Sequence, residues 1–226
     1  MHIGRKNEEV DYKMKVNENE YRSIAKSNEE KDLGVIFDKN FSFDVLIQSC
    51  INKANKMIGI IKRTFTFVDK EIFNNLPKAL VRPHLEYGNV IWSSYFKRQS
   101  VTIDRVQRRA TRLINTLRDL SYTERLKKLY LPTLKYRRFR GDLIQVHKII
   151  NQIDDLKFDT FFTPTKSDIT RNAEYKLYIE YSRTNVRKFT FSKRIEPAWN
   201  VLSLITKSAP NINKFKNLQD RDPNLY

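Results

Sequence analysis

Residues 42–61 read SFDVLIQSCINKANKMIGII, and this stretch decides what kind of fold the chain can have. Phe43, Leu46, Ile47, Cys50, Ala54, Met57, Ile58 and Ile61 recur at intervals of three and four, which lays one apolar stripe along a helix. Ser42 offers an N-cap, and Asp44 puts a carboxylate in the first turn, where it complements the helix dipole. Lys53, Lys56 and Arg63 fall off the stripe, so the helix is expected to carry a basic outer side. Cys50 lies within the stripe with no histidine at helical spacing, so it reads as a packed thiol and not as a nucleophile.

Upstream of this helix the pattern shortens and partly alternates. Asp11 to Val16, Tyr21 to Ala25, and Lys31 to Phe37 read as strands, separated by Asn17-Glu18-Asn19 and closed by Asp38-Lys39-Asn40. They predict a small antiparallel sheet over residues 1–41, too short to stand without a larger body. Downstream the period stays helical. Asp69 caps a segment running to Leu76, which Pro77 kinks or restarts, and Pro83 opens another. A helix after Ser100 has the stripe Val106, Ala110, Leu113 and Leu117, and Tyr122 to Leu129 forms a short one. Pro132-Thr133 introduces a helix to Ile150, striped by Leu134, Phe139, Leu143, Val146 and Ile150, in which Gly141 suggests close approach of another backbone. Residues 42–155 thus form a basic helical unit.

Residues 156–226 make a smaller extension. An aromatic turn at Phe158 to Phe162 precedes a hairpin of Tyr175 to Tyr181 with Val186 to Phe191. A helix from Arg194 to Ile205, interrupted only by Pro197, leads to a tail anchored at Ile212 to Phe215 and frayed beyond. The fold class expected is α+β, predominantly α-helical.

The chain has 226 residues, and 43 Lys and Arg against 26 Asp and Glu give it a net charge of +17. The excess is clustered. Residues 51–150 hold 22 basic and 7 acidic side chains, and within them 97–140 hold 14 and 3. Such clustering is the electrostatic footprint of a polyanion-binding face. Arg105, Arg108, Arg109 and Arg112 sit at offsets of three, four and seven, which places them on one helix face. Asp104 is placed to pair with Arg108. Lys135, Arg137, Arg138 and Arg140 open the later helix, where Arg138 is placed to pair with Asp142. The planar guanidinium fork grips phosphate oxygens bidentately, so these groups are candidate contacts to a sugar–phosphate backbone.

Several chemistries are excluded. One cysteine and three scattered histidines supply neither a disulfide framework nor a zinc site, and no cofactor is expected. No apolar run has the length of a membrane span, and the start lacks the apolar core of a signal peptide. The chain is therefore expected to be soluble and intracellular, with no membrane partner. The adjacent carboxylates Asp154-Asp155 follow a helix end, with no strand pattern around them. They read as an exit loop and not as a pair that holds two catalytic cations.

The blocks assembled so far resemble one family. Lys31-Asp32-Leu33-Gly34-Val35 with Phe41-Ser42-Phe43 is similar to the segment after the palm in reverse transcriptases of non-LTR (LINE-type, jockey-like) retrotransposons. Leu80-Val81-Arg82-Pro83-His84-Leu85-Glu86-Tyr87 with Val90-Ile91-Trp92 looks like the next block. Val106-Gln107-Arg108-Arg109-Ala110-Thr111, then Arg137-Arg138 with Arg140-Gly141-Asp142-Leu143, then Trp199-Asn200, continue in family order to about Lys216. Met1-His2-Ile3-Gly4 looks like the strand near the palm's last motif.

The resemblance implies a C-terminal piece of an RNA-directed DNA polymerase: palm edge (1–41), thumb (42–155) and a post-thumb extension (156–226). In that family the catalytic Asp motifs lie upstream, so no polymerase activity is expected of this chain alone. The implied partners are RNA, DNA or an RNA–DNA hybrid, together with the fingers–palm portion. The expected backbone contacts are Lys53, Lys56, Arg63, Arg105, Arg108, Arg109, Arg112, Lys135, Arg137, Arg138 and Arg140. A second reading of the same charge is a non-catalytic scaffold whose basic helices pair with an acidic partner.

Overall fold

The computed structural model describes residues 1–4, 7–8, 10–93, 96–165 and 175–225. The chain is α+β and mostly helical, with its strands at the N-terminus. β1 (Lys13–Asn17) and β2 (Glu20–Ser23) form one antiparallel hairpin, with Lys13 opposite Ser23. β3 (Glu29–Asp32) and β4 (Val35–Asp38) form another. The stretch Lys31 to Phe37, expected as one strand, therefore reverses in its middle. Leu33 and Gly34 take φ values of 43° and 83°, both positive, as a two-residue hairpin turn requires. The Tyr87 hydroxyl fastens that turn by donating to the Leu33 carbonyl at 2.6 Å. β1, β2 and β3 are exposed throughout, and only β4 reaches the core, through Val35. Met1–Gly4 form no strand; the Gly4 amide donates to the Lys39 carbonyl.

α1 (Asp44–Thr64) buries Leu46, Ile47, Ala54, Ile58 and Ile61 of the expected stripe and adds Ile51, while Phe43, Cys50 and Met57 are only half-buried at its edge. Its start differs from expectation. Phe43, in a left-handed conformation, holds the N-cap position in place of Ser42. The Asp38 carboxylate at the end of β4 accepts from the amides of Asn40, Ser42 and Phe43 at 2.9, 3.1 and 2.7 Å. Those amides are already held, and the Ser42 hydroxyl donates to the same carboxylate. Burial alone would raise the Asp38 carboxyl, yet these donors together hold it below the usual range.

α2 (Lys70–Leu76) is capped by Asp69, which accepts from the Ile72 amide at 2.7 Å. Pro77 does not stop the chain's winding: the helix widens into a π turn over Pro77–Val81 and passes into α3 (Arg82–Glu86). α4 (Asn89–Trp92) and α5 (Lys97–Thr111) come next, the latter starting upstream of Ser100. α6 (Tyr122–Leu129) opens with a Ser121–Glu124 capping box, and α7 (Leu134–Ile150) is capped by Thr133.

α7 belongs to two cores. Its Leu134 packs in a cluster with α1, Trp92, Ile103 and Val106, whereas Leu143, Val146 and Ile149 pack with Ile195, Trp199 and Phe215. The change of core thus falls inside a helix and not at residue 155. Gly141 faces the Asn89 side chain, which an added Cβ would meet at 3.5 Å; the expected close approach of a backbone is absent there.

The C-terminal part is α8 (Phe158–Phe161), α9 (Asn185–Lys188), α10 (Phe191–Val201), α11 (Leu204–Lys207) and α12 (Ile212–Gln219). Of the expected hairpin, the second strand is corrected to helix, whereas Tyr175 to Tyr181 stays outside the helices apart from a single turn residue at its start. Thr184 accepts from the Arg187 amide and starts α9 where a strand was expected. Among the described residues Leu177 makes one antiparallel bridge, to Pro164. Pro197 lies inside α10, which ends at Val201, and Ser203 caps a separate α11. The tail is docked, not frayed: Asp222 is buried and accepts from the Ser203 amide, the Ser203 hydroxyl and the Thr206 hydroxyl at 3.0, 2.8 and 2.7 Å. Among the described residues no helix is long and apolar enough to cross a membrane.

Candidate nucleic-acid interface

α5 buries Ile103, Val106 and Ala110 against the first core, which turns Arg105, Arg108, Arg109 and Arg112 outward together. They line a groove of about 690 Å³ between α5 and the C-terminal half of α1. Lys62 faces them from α1, and Arg118, just after the 3₁₀ turn at Asn115–Leu117, closes one end. Six cations therefore share one concavity with a single carboxylate, Asp119. All six are exposed, and among the described residues none makes an ion pair. Like charges held this close repel one another, so the groove is a standing attraction for an anion.

Uncharged neighbours orient the arginines. The Arg108 guanidinium lies over the Tyr122 ring at 4.5 Å, and Arg109 donates to the Asn55 side chain at 3.3 Å. Tyr122 in turn donates to the Gln107 side chain at 3.0 Å. Burial, helped by nearby Asp104, pushes its phenol up to about 12, so the ring stays neutral beneath Arg108. Asp104 does not pair with Arg108 as expected, because Arg108 is turned onto Tyr122. Burial pushes the Asp104 carboxyl up, and its Oδ1 has no hydrogen-bond partner among the described residues.

The second group of expected contacts is disposed differently. Arg137 reaches Glu86 through Nε and Nη2, the latter at 3.0 Å. Arg140 clasps Asp220, the C-cap of α12, at 2.6 and 2.8 Å. Arg138 is buried, 3.4 Å from the Ser100 hydroxyl, and makes no ion pair with Asp142, which Arg194 holds instead. These three do not join the groove. Lys135 is exposed at a separate cavity. Lys56 and Arg63 stand on the outer face of α1, opposite its buried stripe, and Lys53 lines a shallow hollow near Asp44.

Sequence spacing missed Lys62 and Arg118. Lys62 lies four residues after Ile58 at the edge of the buried stripe, a signal that was present. Arg118 lies past the end of α5, where helical offsets place nothing. Asp154 is held by Gln145 and Lys148 at 2.8 and 3.1 Å, at the end of α7. Its carboxyl is kept low chiefly by the Gln145 bond, although burial pulls the other way. Among the described residues no group of three or more His, Cys, Asp or Glu could hold a metal ion. Cys50 is half-buried, and burial pushes its thiol up.

Comparison with protein-family models, with curated proteins and with solved structures gave no match.

Proposed function

We propose that this chain is the thumb and post-thumb part of a non-LTR retrotransposon reverse transcriptase, and that it holds a nucleic acid by its sugar–phosphate backbone. The observation that carries the reading is the α1–α5 groove, where six cations that make no ion pair among the described residues face one carboxylate. Backbone contacts need basic groups on a rigid helix and no base-reading geometry. The all-exposed β1–β2 hairpin accords with an N-terminal edge that packs on a fingers–palm portion. The chain alone binds without extending a primer.

The test is binding to duplex DNA and RNA–DNA hybrid across a salt series. The slope of log K against log salt is roughly −0.9 per phosphate contact on duplex DNA. Combined Arg108→Gln, Arg109→Gln and Arg112→Gln should weaken binding to all sequences alike and make the slope shallower by about 2–3. An unchanged slope would overturn the reading and leave the acidic-partner scaffold in its place.

A further inference from the structure

A second cavity, of about 440 Å³, lies between the start of α5, the first half of α7 and α10. Lys97, Lys135, Arg138 and Arg194 line it, with the single carboxylate Asp142. Arg194 and Asp142 neutralise each other at 2.8 Å. Lys97 and Lys135 are exposed and, among the described residues, make no ion pair. Arg138 is 4% exposed, and its Nη1 has no hydrogen-bond partner among the described residues. A buried guanidinium without a bonded carboxylate is costly, so the fold keeps this one at a stability cost that a ligand anion would relieve. The α5 N-terminus opens on the same cavity through Phe96 and Lys97, and among the described residues no side chain caps it.

We propose that this cavity is an anion site that takes the phosphate monoester of a nucleotide, with the base laid against Phe96 and Phe139. Charge selects the phosphate. Once Arg194 and Asp142 cancel, three cations remain, and Asp104 beside Arg138 offsets one. Two uncompensated positive charges match a monoester dianion better than a carboxylate. The Ser93 and Ser100 side chains on the lining supply neutral donors for further phosphate oxygens, and Phe96, Phe139, Val101 and Ile195 supply an apolar wall. The volume suits a mononucleotide. None of the groove's arginines lines this cavity, so the site stands independently of the strand-binding reading.

Calorimetric titration of the full chain with AMP, inorganic phosphate and adenosine tests the site in phosphate-free buffer. AMP should bind one per chain and at least fivefold more tightly than phosphate, and adenosine should give no heat. The combined exposed variant Lys97→Ala with Lys135→Ala should weaken AMP at least tenfold. Val101→Trp, which fills the cavity without changing its charge, should do the same. The groove variant carrying Arg108→Gln, Arg109→Gln and Arg112→Gln should keep AMP affinity within twofold. A 5′-phosphorylated trinucleotide that outbinds both AMP and its 5′-hydroxyl form assigns the site to a strand end, and preference for AMP assigns it to free nucleotide. No AMP binding, or AMP binding lost in the groove variant but kept by the two lysine substitutions, would overturn the proposal.

Discussion

Arg194 on α10 clamps the Asp142 carboxylate on α7 with hydrogen bonds of 2.9 and 2.8 Å, and the same guanidinium reaches the Val90 carbonyl at 2.7 Å. One side chain thus ties the second core to the segment that carries Trp92 in the first. Burial pushes the Asp142 carboxyl up, and Arg194 pulls it back towards ionisation. Removing one partner of a buried pair leaves the other charge uncompensated, at a cost of about 3–5 kcal/mol. Asp142→Asn and Arg194→Met should each destabilise the protein by that much in urea unfolding. The joint variant Asp142→Leu with Arg194→Met should recover a large part of the loss. A single-variant cost below about 1 kcal/mol would show that the clamp is marginal.

The Arg137–Glu86 and Arg140–Asp220 pairs separate stability from binding. Arg137→Gln and Arg140→Gln should each destabilise the fold by about 1 kcal/mol, the scale of a part-exposed charged hydrogen bond. Neither should change the salt slope for nucleic acid, because both guanidinium groups are engaged internally. A slope made shallower by about 1 in either variant would place that arginine on a phosphate after all.

His147 makes the second core sensitive to pH. Its Nε2 is 3.0 Å from the Ala209 carbonyl oxygen, so that nitrogen carries the hydrogen, and Nδ1 has no partner among the described residues. The ring stacks on Phe215 at 4.3 Å. Burial lowers its affinity for a second proton, against a smaller opposing effect of the Ala209 bond. The unfolded chain therefore binds a proton below about pH 6.5 that the folded chain refuses. Stability is full above that pH and falls as pH drops towards the folded value, by at most about 1.4 kcal/mol per unit. His147→Gln, which keeps an N–H donor, should flatten the urea midpoint between pH 6.5 and 5 relative to the parent. Parallel curves for the two proteins would assign the pH dependence to other groups.

The helical part of the fold was legible because its signals are local. The three-and-four spacing of residues 43–61, the Asp69 and Thr133 caps and the run Tyr122–Leu129 need no knowledge of tertiary contacts. The Arg105–Arg112 face was legible for the same reason. What spacing could not show was which cations a distant carboxylate would claim. Arg140 and Asp220, or Arg194 and Asp142, meet only through packing of α7 against α12 and α10. The C-terminal β-formers misled because strand preference reflects the surface a segment packs on, and here Thr184 begins a helical turn. The β3–β4 turn was hidden because leucine rarely adopts positive φ.

That turn gives a substitution expected to stabilise the protein. Leu33 holds φ at 43° while its side chain is 85% exposed, so it meets a conformational penalty with little burial in return. Asparagine accepts left-handed geometry far more readily, and Asn-Gly is a favoured pair for a two-residue hairpin turn. The Tyr87 hydroxyl bonds the backbone carbonyl of residue 33, so the contact survives the change of side chain. Leu33→Asn should therefore raise stability by about 0.5–1 kcal/mol. Gly34→Ala should do the opposite, because φ is 83° there and an added Cβ would lie 3.3 Å from the Tyr87 ring. Urea unfolding of both variants reads the two signs directly. Hydrogen exchange at Glu30 and Phe37, a hydrogen-bonded pair of this antiparallel register, reports whether the effect sits in this hairpin. A destabilised Leu33→Asn variant would show that the positive φ at residue 33 is not a source of strain in this turn.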